Sequence, residues 1–563
     1  MGRGMVGAGV CAGAWLLLAQ SAPVNQAQLW QHRNLGKAFY ENPTTQKQAV
    51  GEFRKALALV PDSAGERLNF GLALLRAGET AAGIEELTKV QKQDPKLPHT
   101  WFNLAIAYKK QGDFDKALAQ IQGMLRLVPS EPIAHYQLGT LYKLKGDNSA
   151  AIREFETARD LNPRLAAAHF QLYGLYRQTN RAEDAARELR SFQERKKEQE
   201  AGSITEDVDW CNYAEIYDPV ISEREGAPLG KPSYHDEKVA DGFAGDNAGV
   251  LALVLDGGTR PSLIAWSAER VVVLQNGKTP VTDSGLQSLR GVVSIAAGDF
   301  DNDGRADLCV ITAGGAALYR NVNGRFRKHV DVATGSFRKA VWIDFDHDYD
   351  EDLILFGNDS RLMRNNGAAG FSDETKRFPF VSGRALDVAR IDTDRDATGF
   401  DLATSYAGRA PVLYHDKLGG VFEAGPLAQF PEPDGRTVLA DFDGNGRQSR
   451  ARIAADGSLH LDHNVTPDYG NWTEIALLGV KNAKLAHNAR IEVKAGASYQ
   501  RFIYDGVPAV FRLGKHAGID TVRITWPNGL IQNELAQPIN RVLSVKEAPR
   551  LSGSCPMIFT WNG

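Results

Sequence analysis

The sequence predicts a multidomain α plus β protein in which an α-helical repeat array precedes a repeated β-rich region and a smaller β-rich module. Three observations predict this fold class. Prolines recur every 34 residues in the first third, aspartate-rich loops recur every 45 to 49 residues in the middle, and apolar and polar residues alternate after about residue 471. Periods of these lengths are typical of helical solenoids and β-propellers. The 563 residues also exceed what one hydrophobic core accommodates.

The composition is that of ordinary folded protein. Apolar residues make up 43% of the chain, charged residues make up 24%, and the formal net charge is -4. Disordered and nucleic-acid-binding chains depart from these values through low hydrophobicity or strong positive charge. We therefore expect no nucleic-acid partner.

Residues 1–22 have the pattern of a signal peptide. Arg3 precedes an apolar run from Met5 to Ala19, and small residues follow at a cleavage position. The sequence predicts export to the periplasm, the cell surface or the medium, with no membrane span after cleavage. The alternative is an uncleaved membrane anchor, which the short, glycine-rich run disfavours. Three cysteines, Cys211, Cys309 and Cys555, would remain, and pairing of Cys211 with Cys555 stays open.

The 34-residue period predicts the helical array over residues 28–200. Pro61, Pro95, Pro129 and Pro163 mark it, and each unit carries two helical patterns separated by a turn. About five such units resemble tetratricopeptide repeats. In that family the first helix of each unit lines a groove that holds a partner.

The first helices carry two rows of side chains at repeated positions. An aromatic row beside a basic row would suit an extended protein or peptide ligand with acidic groups. The alternative is that the aromatic residues pack between repeats and the basic residues are solvated. The candidate partner-binding residues are Phe102, Tyr136, Phe170, Lys109, Lys143 and Arg177.

Aspartate-rich loops begin at Asp299, Asp344, Asp392 and Asp441, and a degenerate copy aligns with Val254. Oxygen-bearing side chains at loop positions 1, 3, 5 and 9, with a main-chain carbonyl at position 7, form a pattern that suits a hard cation. Clustered carboxylates would raise one another's pKa unless a cation neutralised them. Calcium fits best, because it tolerates a flexible carboxylate cage. Solvated turns without metal are the alternative.

Strand-like runs flank each loop, and their repetition predicts propeller blades over residues 241–470, after a linker at 201–240. The loops resemble those of FG-GAP repeats in integrin-like β-propellers, which carry calcium sites. The resemblance implies complete sites in the first two loops, an inserted residue before Asp401 in the third, and weak binding in the fourth. The implied metal-site residues are Asp299, Asp301, Asp303, Arg305, Asp307, Asp344, Asp346, Asp348, Asp350, Asp352, Asp392, Asp394, Asp396, Asp401, Asp441, Asp443 and Asn445. His347, inside the second loop, is interpreted as a loop-tip residue.

Residues 471–550 predict a small β-rich module. The stretch "RLGKHAGIDTVRITWPNGLIQ" resembles the ASPIC/UnbV module that follows FG-GAP repeats in cartilage-acidic-protein-like proteins of bacteria. Residues 551–563 end in an Asn-Gly turn after an apolar run, as a truncated strand or the start of a further domain would.

These features favour an exported, non-catalytic binding or scaffold protein with a peptide-binding groove and a calcium-stabilised propeller. The chain shows no G-x-S-x-G or H-E-x-x-H motif. The alternative is a calcium-dependent enzyme that acts on a glycan or a small metabolite, because paired aspartates can perform acid and base chemistry.

Overall fold

A computed structural model describes residues 25–201, 206–218, 231–391, 401–417, 420–431 and 435–549. The predicted signal peptide, the first three aspartates of the third loop and the C-terminal residues 551–563 lie outside the described residues. Within the described part, the array, the propeller and the β-rich module follow one another in the predicted order, which confirms the fold class.

The array consists of five helix pairs. Their helices are α1 (Gln26–Glu41), α2 (Gln46–Leu59), α3 (Ala64–Arg76), α4 (Thr80–Gln93), α5 (Pro98–Lys110), α6 (Phe114–Leu127), α7 (Pro132–Leu144), α8 (Asn148–Leu161), α9 (Ala166–Gln178) and α10 (Ala182–Ala201). Side-chain oxygens cap several N-termini, for instance Asp113 on α6 and Asp147 on α8. Gly112, with φ 79°, ends α5 in the left-handed conformation that glycine adopts without strain.

Within the described residues, the propeller consists of five four-stranded antiparallel sheets, here called blades 1 to 5. Its strands are β1 (Tyr234–Ala240), β2 (Gly249–Leu253), β3 (Ser262–Trp266), β4 (Val271–Gln275), β5 (Thr279–Pro280), β6 (Val292–Gly298), β7 (Asp307–Thr312), β8 (Gly315–Val322), β9 (Arg325–Ala333), β10 (Phe337–Ile343), β11 (Asp352–Gly357), β12 (Arg361–Asn365), β13 (Phe371–Asp373), β14 (Ala385–Ile391), β15 (Asp401–Tyr406), β16 (Arg409–Asp416), β17 (Phe422–Pro426), β18 (Thr437–Ala440), β19 (Ser449–Ile453) and β20 (Leu459–Asn464).

Blades 1 to 4 each use four consecutive strands, whereas blade 5 has the order β1-β20-β19-β18. Tyr234 of β1 pairs with Asn464 of β20, so the strand that completes blade 5 precedes the whole propeller in the chain. The propeller therefore starts within the stretch predicted to be a linker. Buried apolar clusters join blade 5 to blade 1, blade 1 to blade 2, blade 2 to blade 3 and blade 3 to blade 4.

The C-terminal module is a two-sheet β sandwich. Its strands are β21 (Asn471–Leu478), β22 (Arg490–Ala495), β23 (Ser498–Ile503), β24 (Ala509–Gly514), β25 (Ile519–Thr525), β26 (Ile531–Gln537) and β27 (Val542–Lys546). One sheet has the order β24-β21-β27 and the other β23-β22-β25-β26, with fully buried Trp526 in the core between them.

The module contacts both repeat regions. Arg523 on β25 lies 3.0 Å from both carboxylate oxygens of Glu41 on α1. On the propeller side, His487 hydrogen-bonds Glu351, and the main-chain N of Lys484 donates to the side chain of Asn302 at 2.8 Å. None of the helices in the described residues is long and apolar enough to cross a membrane.

Candidate metal centres and the helical groove

The aspartate at loop position 1 shapes its own loop. Asp299 accepts hydrogen bonds from the main-chain N atoms of Asp303 and Gly304 at 2.9 and 2.8 Å. In the second loop Asp344 accepts from the N atoms of positions 5 and 6 at 3.0 and 3.1 Å, and in the fourth loop Asp441 does so at 3.1 and 2.5 Å. This carboxylate therefore folds the turn whether or not a metal is present.

The residue at position 9 ties the second strand of each blade to the third. Its side-chain oxygen accepts a hydrogen bond from a main-chain N in all five blades. The donor residue lies at the end of the third strand or directly after it. The pairs are Ser262 with Asn276 (3.2 Å), Asp307 with Asn321 (2.6 Å), Asp352 with Asn365 (2.7 Å), Asp401 with Asp416 (3.0 Å) and Ser449 with Asn464 (3.2 Å). Asp401 thus holds the position-9 place despite the inserted residue before it.

The first two loops leave carboxylate oxygens uncommitted. Asp307 is fully buried, and its Oδ2 has no hydrogen-bond partner among the described residues, as is also true of Oδ1 of Asp346. One oxygen from each of Asp299, Asp301 and Asp307 lies within 4.8 Å of the others. In the second loop Asp344, Asp346 and Asp348 meet the same limit. Three converging carboxylate oxygens are a donor set that a hard cation accepts.

The electrostatics of these loops also favour a bound cation. Burial, together with the neighbouring carboxylates, raises the pKa of Asp307 to about 8 and that of Asp299 to about 7. In the second loop burial raises the pKa of Asp352 to about 9 and that of Asp344 to about 7. A bound cation would stabilise the ionised forms, since an adjacent opposite charge favours them. The residues present therefore fit a divalent cation.

Arginines on the third strands supply part of that charge. Arg320 on β8 lies 2.5 Å from Asp301, and Arg364 on β12 lies 2.7 Å from both Asp346 and Asp348. The sequence analysis missed both arginines, although each directly precedes the asparagine that pairs with position 9. The position-7 residues, Arg305 and Asp350, donate main-chain hydrogen bonds to the carboxylates at position 5.

The second loop differs from the first at two residues. Tyr349 has φ 76°, where Gly304 has 87° in the first loop, so the second loop places a bulky residue in a left-handed conformation. His347 is 8% exposed, and its Nε2 lies 3.3 Å from Asp416 at the end of β16. His347 therefore lies in the loop, as predicted, but its side chain is buried beside a carboxylate of the neighbouring blade.

The fourth loop meets its charge with protein groups. Asp443 accepts from Ser449 at 2.9 Å and lies 2.8 Å from His463 and 3.4 Å from Lys278. Asn445 accepts from the main-chain N of Arg447 at 3.0 Å. In the degenerate copy, Asp256 is exposed and accepts from Gly258. Asp392, Asp394 and Asp396 lie outside the described residues.

The predicted partner-binding residues divide into two groups. Phe102 and Tyr136 are buried between helices, so these two aromatic side chains pack the array instead of lining its surface, while Phe170 is 50% exposed. Lys143 donates to Gln171 at 2.8 Å, and Arg177 donates to Tyr173 at 3.1 Å. Lys109 forms an ion pair with a chain segment outside the array: it lies 2.7 Å from Asp209.

That segment, residues 206–218, runs along the surface formed by α1, α3, α5, α7 and α9, which we call the groove. Asn69 both donates to and accepts from the main chain of Tyr217, at 2.8 Å each. Asn103 donates to the main-chain O of Tyr213 at 2.7 Å, and Gln137 donates to that of Val208. The three amides are spaced by 34 residues, so one position of the repeat holds the segment by its main chain.

Other contacts fix the direction of residues 206–218, which is antiparallel to the array. Glu206 accepts from the main-chain N atoms of Ala166 and Ala167 at 2.8 Å each, at the start of α9. At the other end, Asp218 lies 3.3 Å from Lys37 on α1. Cys211 is a free, buried thiol within the segment, and Cys555 lies outside the described residues.

Comparisons with known proteins agree with this architecture. A family model of tetratricopeptide repeats matches residues 74–138 and a second one matches 133–165. An FG-GAP-like repeat model matches residues 299–355, which include the first two loops. A model described as ASPIC and UnbV matches residues 479–551. No curated protein matches the chain.

Solved structures similar to the chain include helical-repeat proteins of low sequence identity. A crystal structure of MamA is 20% identical, covers 28% of this chain and 92% of its own, and has a TM-score of 0.27. MamA from Desulfovibrio magneticus RS-1 is 19% identical over a match that covers 32% of this chain and 99% of the MamA chain, with a TM-score of 0.29. PilF from Pseudomonas aeruginosa is 19% identical over a match that covers 30% of this chain and 76% of the PilF chain, with a TM-score of 0.28. Scores this low carry no argument about this chain.

The family matches have a functional meaning at the level of domain type. Tetratricopeptide repeats suggest protein partners, and tetratricopeptide and FG-GAP repeats are typical of non-enzymatic interaction modules. The combination fits a protein-interaction scaffold. The chain carries tetratricopeptide repeats, an FG-GAP-like repeat and an ASPIC/UnbV domain, which is the domain composition that its sequence resembles.

Proposed function

We propose that the protein is an exported, non-catalytic interaction scaffold whose groove binds an extended peptide and whose propeller is stabilised by calcium. One observation carries the peptide-binding part. Repeated amides at Asn69, Asn103 and Gln137 bind the main chain of residues 206–218.

Main-chain recognition suits a peptide ligand for a physical reason. Every peptide offers the same carbonyl and N–H groups, so an amide repeated along the array binds any extended segment of suitable length. Charged side chains then supply selectivity: Lys109 and Lys110 lie 2.7 and 3.6 Å from the two oxygens of Asp209. Ion pairs that are half-buried in such a surface add to affinity and orient the ligand.

The calcium part of the proposal rests on the uncommitted oxygens of the first two loops. FG-GAP repeats often bind calcium, and the buried, unpartnered Oδ2 of Asp307 and Oδ1 of Asp346 offer the ligand atoms that a calcium ion takes. The fourth loop offers a poorer site, because Ser449, His463 and Lys278 already contact Asp443 and position 5 is the neutral Asn445.

Export is proposed from residues 1–22 alone and has its own test. Fractionation of producing cells, with sequencing of the mature N-terminus, should find the protein outside the cytoplasm and cleaved near residue 22. An intact N-terminus on cytoplasmic protein would contradict export and leave the groove and the loops unaffected.

A direct-binding experiment tests the groove. In the full chain, residues 206–218 are replaced by a Gly-Ser sequence of equal length, which removes every side chain that holds the segment in the groove and so weakens its occupancy. We call this variant the emptied chain. A fluorescent peptide with the sequence of residues 206–218, carrying Ser in place of Cys211, should then bind with a dissociation constant of about 1 to 100 μM, a range typical of short ligands without hot-spot pockets.

Two controls sharpen that experiment. Adding Asn103→Ala to the emptied chain should weaken binding about tenfold, which corresponds to one main-chain hydrogen bond of ~1.4 kcal/mol. Circular dichroism monitors the helices of the array in each variant. No saturable binding to an emptied chain with intact helices would overturn the peptide-binding function.

A further inference from the structure

We propose that residues 206–218 are a displaceable resident ligand, which keeps the groove closed until an extended acidic peptide of a partner protein takes its place. This inference rests on the proposed function, because it supposes that the groove binds peptides. We call residues 206–218 the resident segment.

The resident segment occupies the whole length of the groove. Its contacts begin at the start of α9, where Glu206 accepts from two main-chain N atoms, and end at α1, where Tyr40 donates to the main-chain O of Ala214 at 2.9 Å and Lys37 meets Asp218. An external peptide that uses the same amides cannot bind while the segment is in place. Access to the groove therefore requires release of the segment.

The contacts of the resident segment are of kinds that a second peptide can also make. Cys211 and Ile216 are its only hydrophobic residues that are buried, whereas Trp210 is 37% exposed. A cavity of about 220 Å³ remains between the segment and the array, and Arg76, Lys110 and Trp210 line it. Main-chain hydrogen bonds and ion pairs add to apolar contacts, because Val208, Tyr213 and Tyr217 are partly buried against apolar clusters of the array. A competing peptide with apolar side chains at these places reproduces both kinds of contact.

The same contacts define the partner. A competing peptide needs an acidic residue at the place of Asp209, where Lys109 and Lys110 converge. It also needs an aromatic residue at the place of Tyr213, whose ring meets that of His99 edge-on with centroids 5.3 Å apart. A tethered segment competes at an effective concentration of the order of millimolar, so the partner must bind well or be presented locally.

Cys211 reports whether the segment is in place. The thiol is 4% exposed, and burial raises its pKa to about 12, so it should resist alkylation while the segment is bound. Cys309 in the core of the propeller is fully buried and serves as an internal control for global unfolding. Alkylation of the native full chain, followed by peptide mapping, measures both thiols separately.

Two matched variants, placed one repeat apart, test whether the ion pair of Lys109 with Asp209 holds the resident segment. Lys109→Glu reverses the charge that meets Asp209 and should raise the alkylation rate of Cys211 at least tenfold. Lys143→Glu changes the same register one repeat later, where the lysine bonds Gln171 within the array, and should change that rate less than twofold. Equal rates in the two variants would overturn the assignment of the segment as a ligand.

Competition on the unmodified chain tests displacement without any variant. Adding the synthetic 206–218 peptide, with Ser in place of Cys211, should accelerate alkylation of Cys211 saturably and leave Cys309 protected. A Cys211 that stays protected at every peptide concentration, although the emptied chain binds the peptide, would overturn displacement and leave the proposed function standing. Failure of the emptied chain to bind would instead reject the proposed function itself.

Discussion

The helical array and the propeller are both built from five repeats, yet their repeated polar residues do different work. In the array, amides at Asn69, Asn103 and Gln137 bind the main chain of a segment from outside the repeats. In the propeller, carboxylates such as Asp299 and Asp441 bind the main chain of their own loop. The array therefore presents a binding surface, whereas the propeller uses the same kind of hydrogen bond to fold itself.

The two regions are also completed by one stretch of chain. Residues 206–218 fill the groove of the array, and β1 completes blade 5 through its pairing with β20. The connection between two repeat domains is usually treated as a spacer. Here the connection contributes contacts to both domains. A substitution in this stretch can therefore affect the stability of the array or that of the propeller.

The largest expected effect tests whether the loop carboxylates fold the propeller. Asp441→Ala removes two charge-assisted main-chain hydrogen bonds, and at ~1.5 kcal/mol or more for each the free energy of unfolding of the propeller should fall by about 3 kcal/mol. Asp256→Ala, at the exposed aspartate of the degenerate copy, is the matched control and should cost less than ~0.5 kcal/mol. Denaturant unfolding measures both. Equal losses of unfolding free energy in the two variants would mean that the position-1 aspartate does not stabilise its loop more than an aspartate in an ordinary turn does.

The next effect compares the first two loops, which are proposed to bind calcium, with the fourth loop, which is not. Calcium at a hundredfold excess over its dissociation constant should stabilise the propeller by ~2.7 kcal/mol per site and leave the array unchanged. Asp307→Asn keeps the hydrogen bond from the main-chain N of Asn321 but removes a carboxylate ligand. This substitution should abolish the part of the calcium stabilisation that comes from the first loop. Asp443→Asn in the fourth loop should leave the calcium effect intact. Calorimetry that shows no shift between calcium and chelator would contradict a metal role.

A smaller effect concerns the array and depends on pH. His169 lies 2.6 Å from Glu188, and although burial alone lowers the pKa of His169, the hydrogen bond and charge of Glu188 raise it above 6.5 overall. Because the folded pKa exceeds the unfolded one, this stabilisation is complete below pH 6.5 and is lost as the pH rises through the folded pKa. His169→Gln should cost about 1 to 2 kcal/mol at pH 6 and progressively less at higher pH.

Thermal unfolding of the array, followed by its helical signal between pH 6 and pH 9, measures that difference. The propeller should show no matching change on His169→Gln, since the pair lies within the array. A cost for His169→Gln that is independent of pH would show that packing, and not the ion pair, stabilises this position.

The smallest effect compares the first two loops. Tyr349 adopts φ 76° where the first loop has glycine, and relief of that strain in Tyr349→Gly should stabilise the propeller by up to ~1 kcal/mol. The reciprocal change Gly304→Ala should destabilise it by a similar amount. Chelated protein is the right sample, because bound calcium would mask differences of this size. A destabilised Tyr349→Gly variant would mean that the tyrosine ring contributes packing that outweighs its strain.

The periodic features of the fold were readable from the sequence, and the features that depend on distant partners were not. The 34-residue spacing of prolines predicted the helix pairs, and the aspartate loops predicted the blades. The burial of Phe102 and Tyr136 escaped prediction, because a repeated position indicates a shared environment without saying whether it faces a neighbour or the groove. The roles of Arg320 and Arg364 depend on how the third strand lies against the loop, which loop spacing alone does not report.

The location of residues 206–218 was missed because the segment has no period and is held partly through its main chain. One signal was nevertheless present. Asn69, Asn103 and Gln137 recur at 34 residues, and an amide repeated at that spacing indicates a ligand with repeating hydrogen-bonding groups.

The closure of blade 5 also sets the order in which the chain can fold. Each helix pair of the array contacts its sequence neighbours, so the array can form as soon as it is synthesised. Ser233, beside β1, meets Thr466 across 233 positions, so the propeller can close only after nearly all of its residues exist. Until then β1 is an unpaired strand that can pair with the wrong chain. We expect closure of the last blade to be the step at which folding of this protein competes with aggregation.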